Sequence, residues 1–281
     1  MNKETIAVGS HQWFYRETQP TSGDRQQTVV LLHGIPSTSH SWRNLMPPLA
    51  ADGYRCLAPD WLGFGFSDQP DRRDFAYTPD AYQTALGDWL DALELDAVTL
   101  VVQGYLGHIG VRYALAHPKR VERLAILNAP LVSRAKLPWA MQQWAIPLVG
   151  DMLTQDPLLI DRTLERGSGF VVPEADLTVY RKPFLKSSAA GRALIASIQN
   201  LQLSQITAEL EAGLVHWPNP LHLLWGIADP WLESTPVSTL AKANPQMTWH
   251  PFAEAKHYAQ EHWSAELAPV LIDALRSSPG L

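Results

Sequence analysis

The stretch TVVLLHGIP, Thr28–Pro36, decides how the rest of the chain is read. It is apolar or β-branched on both alternating faces, as a strand buried inside a parallel sheet is, and it ends abruptly in His33-Gly34. A turn placed directly after such a strand can aim backbone N–H groups at a developing oxyanion, and Gly34 lets another stretch of chain come close. Taken alone, the same residues also read as an ordinary strand-to-loop turn. Working outward, similar short runs recur at His11–Arg16, Tyr54–Ala58, Val98–Gln103, Val121–Leu127, Leu221–Trp225 and Met247–Pro251. Helical periodicity lies between them, for instance over Asp80–Leu95, Gly107–His117 and Trp263–Ser277. Strands that alternate with helices predict an α/β fold with a doubly wound, mostly parallel sheet. The rhythm breaks between Leu131 and Trp217, where no strand pattern is seen and Pro138, Pro147, Pro157, Pro173 and Pro183 punctuate several helices. This segment is expected to be a helical cap, residues 131–216, inserted into a core of residues 1–130 and 217–281 and lying over the carboxyl edge of the sheet, where such folds bind ligands.

Composition narrows the function classes. With 281 residues, 46% hydrophobic and 18% charged, the chain has the make-up of a folded globular protein. Lys plus Arg number 22 against 28 Asp plus Glu, a net charge of −6, which offers no footprint for nucleic acid or an anionic membrane. Cys56 is the only cysteine, so an internal disulfide or a cysteine-rich metal site is excluded and a cytoplasmic location is expected. No run reaches the roughly 18 apolar residues of a membrane helix, and the first residues carry no signal-peptide pattern. His108 and His117 have no metal-ligand spacing, so no metal is expected. In PDWLGFGFSDQP, Pro59–Pro70, the third glycine of a dinucleotide fingerprint is missing, so no nucleotide cofactor is expected either. The 11 tryptophans fit either a large apolar pocket or a well-filled core.

The HGIP run, PDWLGFGFSD, Asn128-Ala129-Pro130, Tyr180-Arg181-Lys182-Pro183-Phe184, WGIADP (Trp225–Pro230) and AKHYAQE (Ala255–Glu261) occur in an order and spacing that resembles the α/β-hydrolase superfamily, and within it the haloalkane dehalogenase and epoxide hydrolase branch. The resemblance implies a nucleophile elbow in TLVVQGYLGHIG, Thr99–Gly110. Set against the branch's val-val-gln-asp-trp-gly-gly, it places Gly104 at the nucleophile, Tyr105 at the halide-binding tryptophan and Leu106 at the next glycine. A register one residue later would place Tyr105 at the nucleophile. Neither register supplies Ser, Asp or Cys. A phenol of ordinary pKa near 10 is a poor nucleophile without strong activation.

The resemblance further implies His257 as general base, Asp229 as its orienting carboxylate, and the Ile35 and Tyr105 backbone N–H groups as an oxyanion hole supported by the Gly34 turn. Trp139, Trp144, Tyr180 and Phe184 are the expected pocket walls. The expectation is therefore a hydrolase-like scaffold, or pseudo-hydrolase, that binds a small hydrophobic molecule or a protein partner, with His257–Asp229 chemistry open. The alternative is an active hydrolase of esters, epoxides or haloalkanes that uses direct water attack or a relocated nucleophile among Ser37, Ser39 and Ser41.

Overall fold

The computed structural model describes residues 1–21, 27–156 and 158–276. Its sheet has eight strands: β1 (Asn2–Val8), β2 (His11–Thr18), β3 (Thr28–Leu32), β4 (Arg55–Pro59), β5 (Val98–Gln103), β6 (Val121–Leu127), β7 (Leu221–Gly226) and β8 (Met247–Phe252). They lie in the order β1-β2-β4-β3-β5-β6-β7-β8. β2 is antiparallel to both β1 and β4, and every other pairing is parallel.

Helices cover both faces of the sheet, which is why β3 and β5 are buried at every residue. On one face Val30, Leu32, Leu100 and Val102 pack with α2 (Pro79–Ala92) and α3 (Gly104–Ala116). On the other, Val29, Leu31 and Val101 pack with α1 (Met46–Ala51) and α12 (Ser264–Arg276). Successive strand residues thus feed opposite cores, each buried aliphatic side chain contributing about 1.5–3 kcal/mol of transfer free energy. α2 starts where local chemistry allows: the Thr78 hydroxyl accepts from the Ala81 amide at 3.3 Å, Pro79 needs no donor in the first turn, and Asp80 complements the helix dipole.

Between β6 and β7 the chain forms α4 (Trp139–Trp144), α5 (Val149–Leu153), α6 (Leu159–Ser168), α7 (Glu174–Lys186), α8 (Ser188–Gln199) and α9 (Leu203–Leu214). After β7 come α10 (Ser234–Ala243), then β8 and the short α11 (Ala259–His262).

Three expectations change. The sheet begins one strand earlier than the sequence pattern indicates: β1 is a half-exposed edge strand carrying Asn2, Lys3 and Glu4, so it lacks the apolar run of a buried strand. α3 opens at Gly104 rather than Gly107. Pro183 lies inside α7 instead of ending it. Pro157 and Ser277 lie outside the described residues.

Candidate active site

At the end of β5 the backbone turns sharply. Gln103 is extended, and Gly104, the next residue, has φ +72° and opens α3. Glycine adopts this left-handed conformation freely, whereas other residues are strained in it. The turn is also crowded. A Cβ on Gly34 would stand 2.8 Å from the Gln103 carbonyl and from the Gly104 Cα. A Cβ on Gly104 would stand 3.1 Å from the Gly34 Cα and 3.3 Å from Nε2 of His257. The two strand-to-loop turns therefore touch backbone to backbone, and a side chain at position 104 would start against the imidazole. Leu106 is simply buried in the core. Close approach of α3 to the sheet is carried by Gly110, where a Cβ would clash with Leu32 and Val102 at 2.6 and 2.7 Å.

The imidazole arrives from the far side of the sheet. Asp229 follows β7 and His257 follows β8, and His257 Nδ1 lies 2.8 Å from Asp229 Oδ2. The same oxygen accepts from Asn128 Nδ2 at 2.8 Å, while Oδ1 accepts from the amides of Trp231 at 2.8 Å and Leu232 at 3.2 Å. An acceptor-only carboxylate requires the hydrogen on Nδ1, which leaves the lone pair on Nε2. That Nε2 is buried, without a hydrogen-bond partner in the protein, on the side of Gly104. Asn128 was visible in the sequence only as part of a motif. In the fold it sits at φ +33° and brackets the end of β7, its side chain bonding both the N–H (2.7 Å) and the C=O (3.0 Å) of Gly226. The left-handed tolerance of asparagine is the signal that could have marked it.

Tyr105 stacks on His257, with ring centroids 5.5 Å apart, and its hydroxyl donates to the Lys136 carbonyl at 2.8 Å. Burial, and secondarily the Asp229 charge, push its pKa far above the usual 10, so the phenol keeps its proton. The backbone amides of Ile35 and Tyr105 follow the two touching glycines in sequence. Ile35 is anchored through its carbonyl, which accepts from Tyr258 at 2.6 Å. His33 braces the first turn. Its Nε2 accepts from the Trp61 amide at 3.1 Å, so its Nδ1 donates to the Gly34 carbonyl at 3.0 Å, and burial lowers its pKa in keeping with a neutral ring. Ser37 and Ser41 donate to the Thr38 carbonyl at 3.4 and 3.0 Å. The Ser39 hydroxyl is buried without a partner, and none of the three serines hydrogen-bonds His257 Nε2.

This architecture has close counterparts. The sequence profile of the alpha/beta hydrolase fold matches residues 27–262. The chain belongs to the α/β-hydrolase fold family. It is 34% identical over 254 residues to a haloalkane dehalogenase of Mycobacterium marinum, covering 87% of this chain and 83% of that one. It is 28% identical over 292 residues to a cis-3-alkyl-4-alkyloxetan-2-one decarboxylase of Xanthomonas campestris pv. campestris, covering 94% and 92%. The crystal structure of a haloalkane dehalogenase from Bradyrhizobium elkani superposes with a TM-score of 0.84 at 23% identity, covering 97% of this chain and 96% of that one. The chain is thus a haloalkane-dehalogenase-like α/β-hydrolase.

In this α/β-hydrolase the four aromatics expected to wall the pocket do not converge. Trp139 is 69% exposed, because α4 turns it to solvent. Trp144 is buried in the core, and Phe184 lines a separate surface hollow between α5, α7 and α8. Tyr180 is fully buried and donates to Glu261. Glu261 also accepts from Arg43 at 3.0 Å, and Arg43 reaches Asp176 at 2.8 Å, which His40 contacts at 2.8 Å. Tyr180 is therefore part of a buried polar network that ties α7 to the core. The cleft beside the His257–Asp229 pair is instead formed by the loops after β6 and β7; its volume is about 520 Å³ and Trp231 is one wall. Trp231 also lies against His257, centroids 4.7 Å apart, and a lone tryptophan in a loop gave no sequence signal of that contact. Among the described residues no three His, Cys, Asp or Glu side chains are grouped to hold a metal ion, and no helix is long and apolar enough to cross a membrane.

Proposed function

We propose that this haloalkane-dehalogenase-like protein works without covalent catalysis: it binds a small hydrophobic molecule beneath a cap of residues 131–216, with His257 and Asp229 kept as a general-base pair. One observation carries the reading. Gly104 stands at the turn into α3, where a Cβ would lie 3.3 Å from His257 Nε2, so the position that faces the imidazole holds no nucleophilic side chain. A base of this kind acts on water. Nε2 takes a proton as the water oxygen bonds to an acyl carbon, the carbonyl oxygen becomes an oxyanion held by the Ile35 and Tyr105 amides, and Asp229 steadies the imidazolium; as the oxyanion collapses the acyl C–O bond breaks and the imidazolium returns its proton to the leaving alkoxide, which departs as an alcohol. That chemistry suits esters and lactones. Displacing halide from an alkyl carbon needs a stronger nucleophile than water, so haloalkanes are the poorer substrates. The names of the relatives, a dehalogenase and an oxetanone decarboxylase, support a small and mainly apolar ligand, and the single buried cysteine supports a cytoplasmic setting.

The test is hydrolysis of matched esters, lactones, epoxides and haloalkanes by the purified protein beside His257→Ala. Turnover of acyl substrates above the roughly 10³–10⁴-fold over water that an oxyanion hole and binding supply alone, falling to that level in the variant, is expected. Turnover unchanged in His257→Ala overturns the general-base role. A relocated serine is the second reading, favoured by the unpartnered Ser39 hydroxyl. A covalent fluorophosphonate adduct on Ser37, Ser39 or Ser41 would establish it in place of water attack.

A further inference from the structure

The cleft of about 520 Å³ beside the catalytic pair has a chemistry of its own. Its apolar walls are Leu131 and Val132 from the loop after β6, Trp225 at the end of β7, Trp231 from the segment leading into α10, and Val237 from α10 itself. Its exposed charged residues are Arg134, Lys136 and Glu233. Neither the Arg134 guanidinium nor the Lys136 ammonium forms an ion pair or hydrogen bond among the described residues. Elsewhere on this molecule arginines as exposed as Arg162 and Arg276 are paired with carboxylates. The cleft thus joins an aromatic and aliphatic wall to a surplus of donors, and one carboxylate, Glu233, leaves the rim net positive by a single charge.

We infer that this cleft is a binding site for an organic monoanion with an apolar body, an aryl or alkyl carboxylate, whose charged end meets Arg134 and Lys136 while its body lies between Trp225 and Trp231. A monoanion matches the single surplus charge. A dianion would meet Glu233, and a neutral apolar molecule would leave both cations unused. A carboxylate held by a guanidinium gains charge-assisted hydrogen bonds that an alcohol of the same shape lacks. The inference is independent of the hydrolysis reading, since it concerns occupancy of the cleft and not turnover.

Calorimetric titration of the full chain with phenylbutyrate, and in parallel with phenylbutanol, tests it. Saturable binding of phenylbutyrate, about tenfold tighter than that of phenylbutanol, is the expected result. The double variant Arg134→Gln/Lys136→Gln should weaken the carboxylate by about tenfold and leave the alcohol unchanged, because only the carboxylate uses those charges. Both residues are exposed, so this variant keeps the fold. Glu233→Gln should tighten the carboxylate by removing a like charge. Equal affinities for the two probes, an unaltered affinity in the double variant, or no saturation with phenylbutyrate would each overturn the proposal.

Discussion

Gly104 is held by two constraints that can be separated experimentally. Its φ of +72° penalises any side chain, and the space where a Cβ would sit is closed by the Gly34 Cα and His257. Gly9 has φ +58° with nothing near its Cβ position, so it reports the backbone penalty alone. Gly9→Ala should cost about 1 kcal/mol and Gly104→Ala about 2–3 kcal/mol in denaturant unfolding, the difference being the crowding. Equal costs would mean that the two turns do not touch. Restoring a carboxylate is a sharper test. Gly104→Asp should form no alkyl ester with bromobutane by mass spectrometry, because the Tyr105 hydroxyl is committed to the Lys136 carbonyl and offers no donor to the departing bromide. An adduct would show that a carboxylate at position 104 can displace halide despite Tyr105. At this scale the sequence pointed to His257 and Asp229, which the fold brings into hydrogen-bond contact, and to Gly104, which opens α3. It did not identify Asn128 or Trp231, because their roles arise from contacts across about 30 to 100 residues of chain.

α7 is fastened to the core by charge. Asp176 and Tyr180 on this helix meet His40 and Arg43 from the single turn at Ser39–Trp42 and its flank, and Glu261 from α11. Burial raises the pKa of both Tyr180 and Glu261, and Arg43 in their midst opposes that shift. Tyr180→Phe removes the donor to a buried carboxyl oxygen and should destabilise the protein by about 1–3 kcal/mol, with faster proteolytic cleavage in the segment between β6 and β7. Arg162→Gln, which breaks an exposed pair with Asp156, should change stability by less than about 0.5 kcal/mol. A Tyr180→Phe protein as stable as the Arg162→Gln protein would mean that the network does not hold the helix. The aromatic spacing of Tyr180 and Phe184 was legible in the sequence, but their direction was not. A helix rotates successive side chains by about 100°, and only the docking of α7 decides which of them meets a cavity and which meets Glu261.

The molecule as a whole should be acid-labile, and the sign follows from its buried histidines. His40, His108 and His222 titrate at about 4 in the folded protein against 6.5 in the free side chain, chiefly because burial penalises the cation. Arg43 adds repulsion at His40, and His250 does so at His222. Each depressed imidazole contributes stability that is present above pH 6.5 and lost as pH falls towards 4, since in that window the unfolded chain binds more protons. Glu261 acts in the opposite sense: its raised pKa favours the folded state on the acid side, and that contribution declines as pH rises. The depressed imidazoles, His33 and His250 among them, outnumber the one raised carboxyl and set the direction. The unfolding midpoint should drop steeply between pH 6.5 and 4, and His40→Gln, which retains a donor for Asp176, should make the drop shallower. A midpoint flat across that interval would show that these rings are not held neutral.

The sequence by itself determined the α/β class, the helical segment between β6 and β7, and that neither residue 104 nor residue 105 is Ser, Asp or Cys. These rest on local periodicity and residue type, which folding does not alter. It also supplied the His–Asp pair, through motifs at strand ends where the parallel sheet delivers them to one edge. Only the tertiary structure decided that Gly104 is the turn residue, that Tyr105 stacks on His257, and that the cleft lies beside Trp231 instead of between Trp139, Trp144, Tyr180 and Phe184. Those outcomes depend on how helices and loops from distant parts of the chain dock. Docking is set by close packing over many residues at once, which no local pattern encodes.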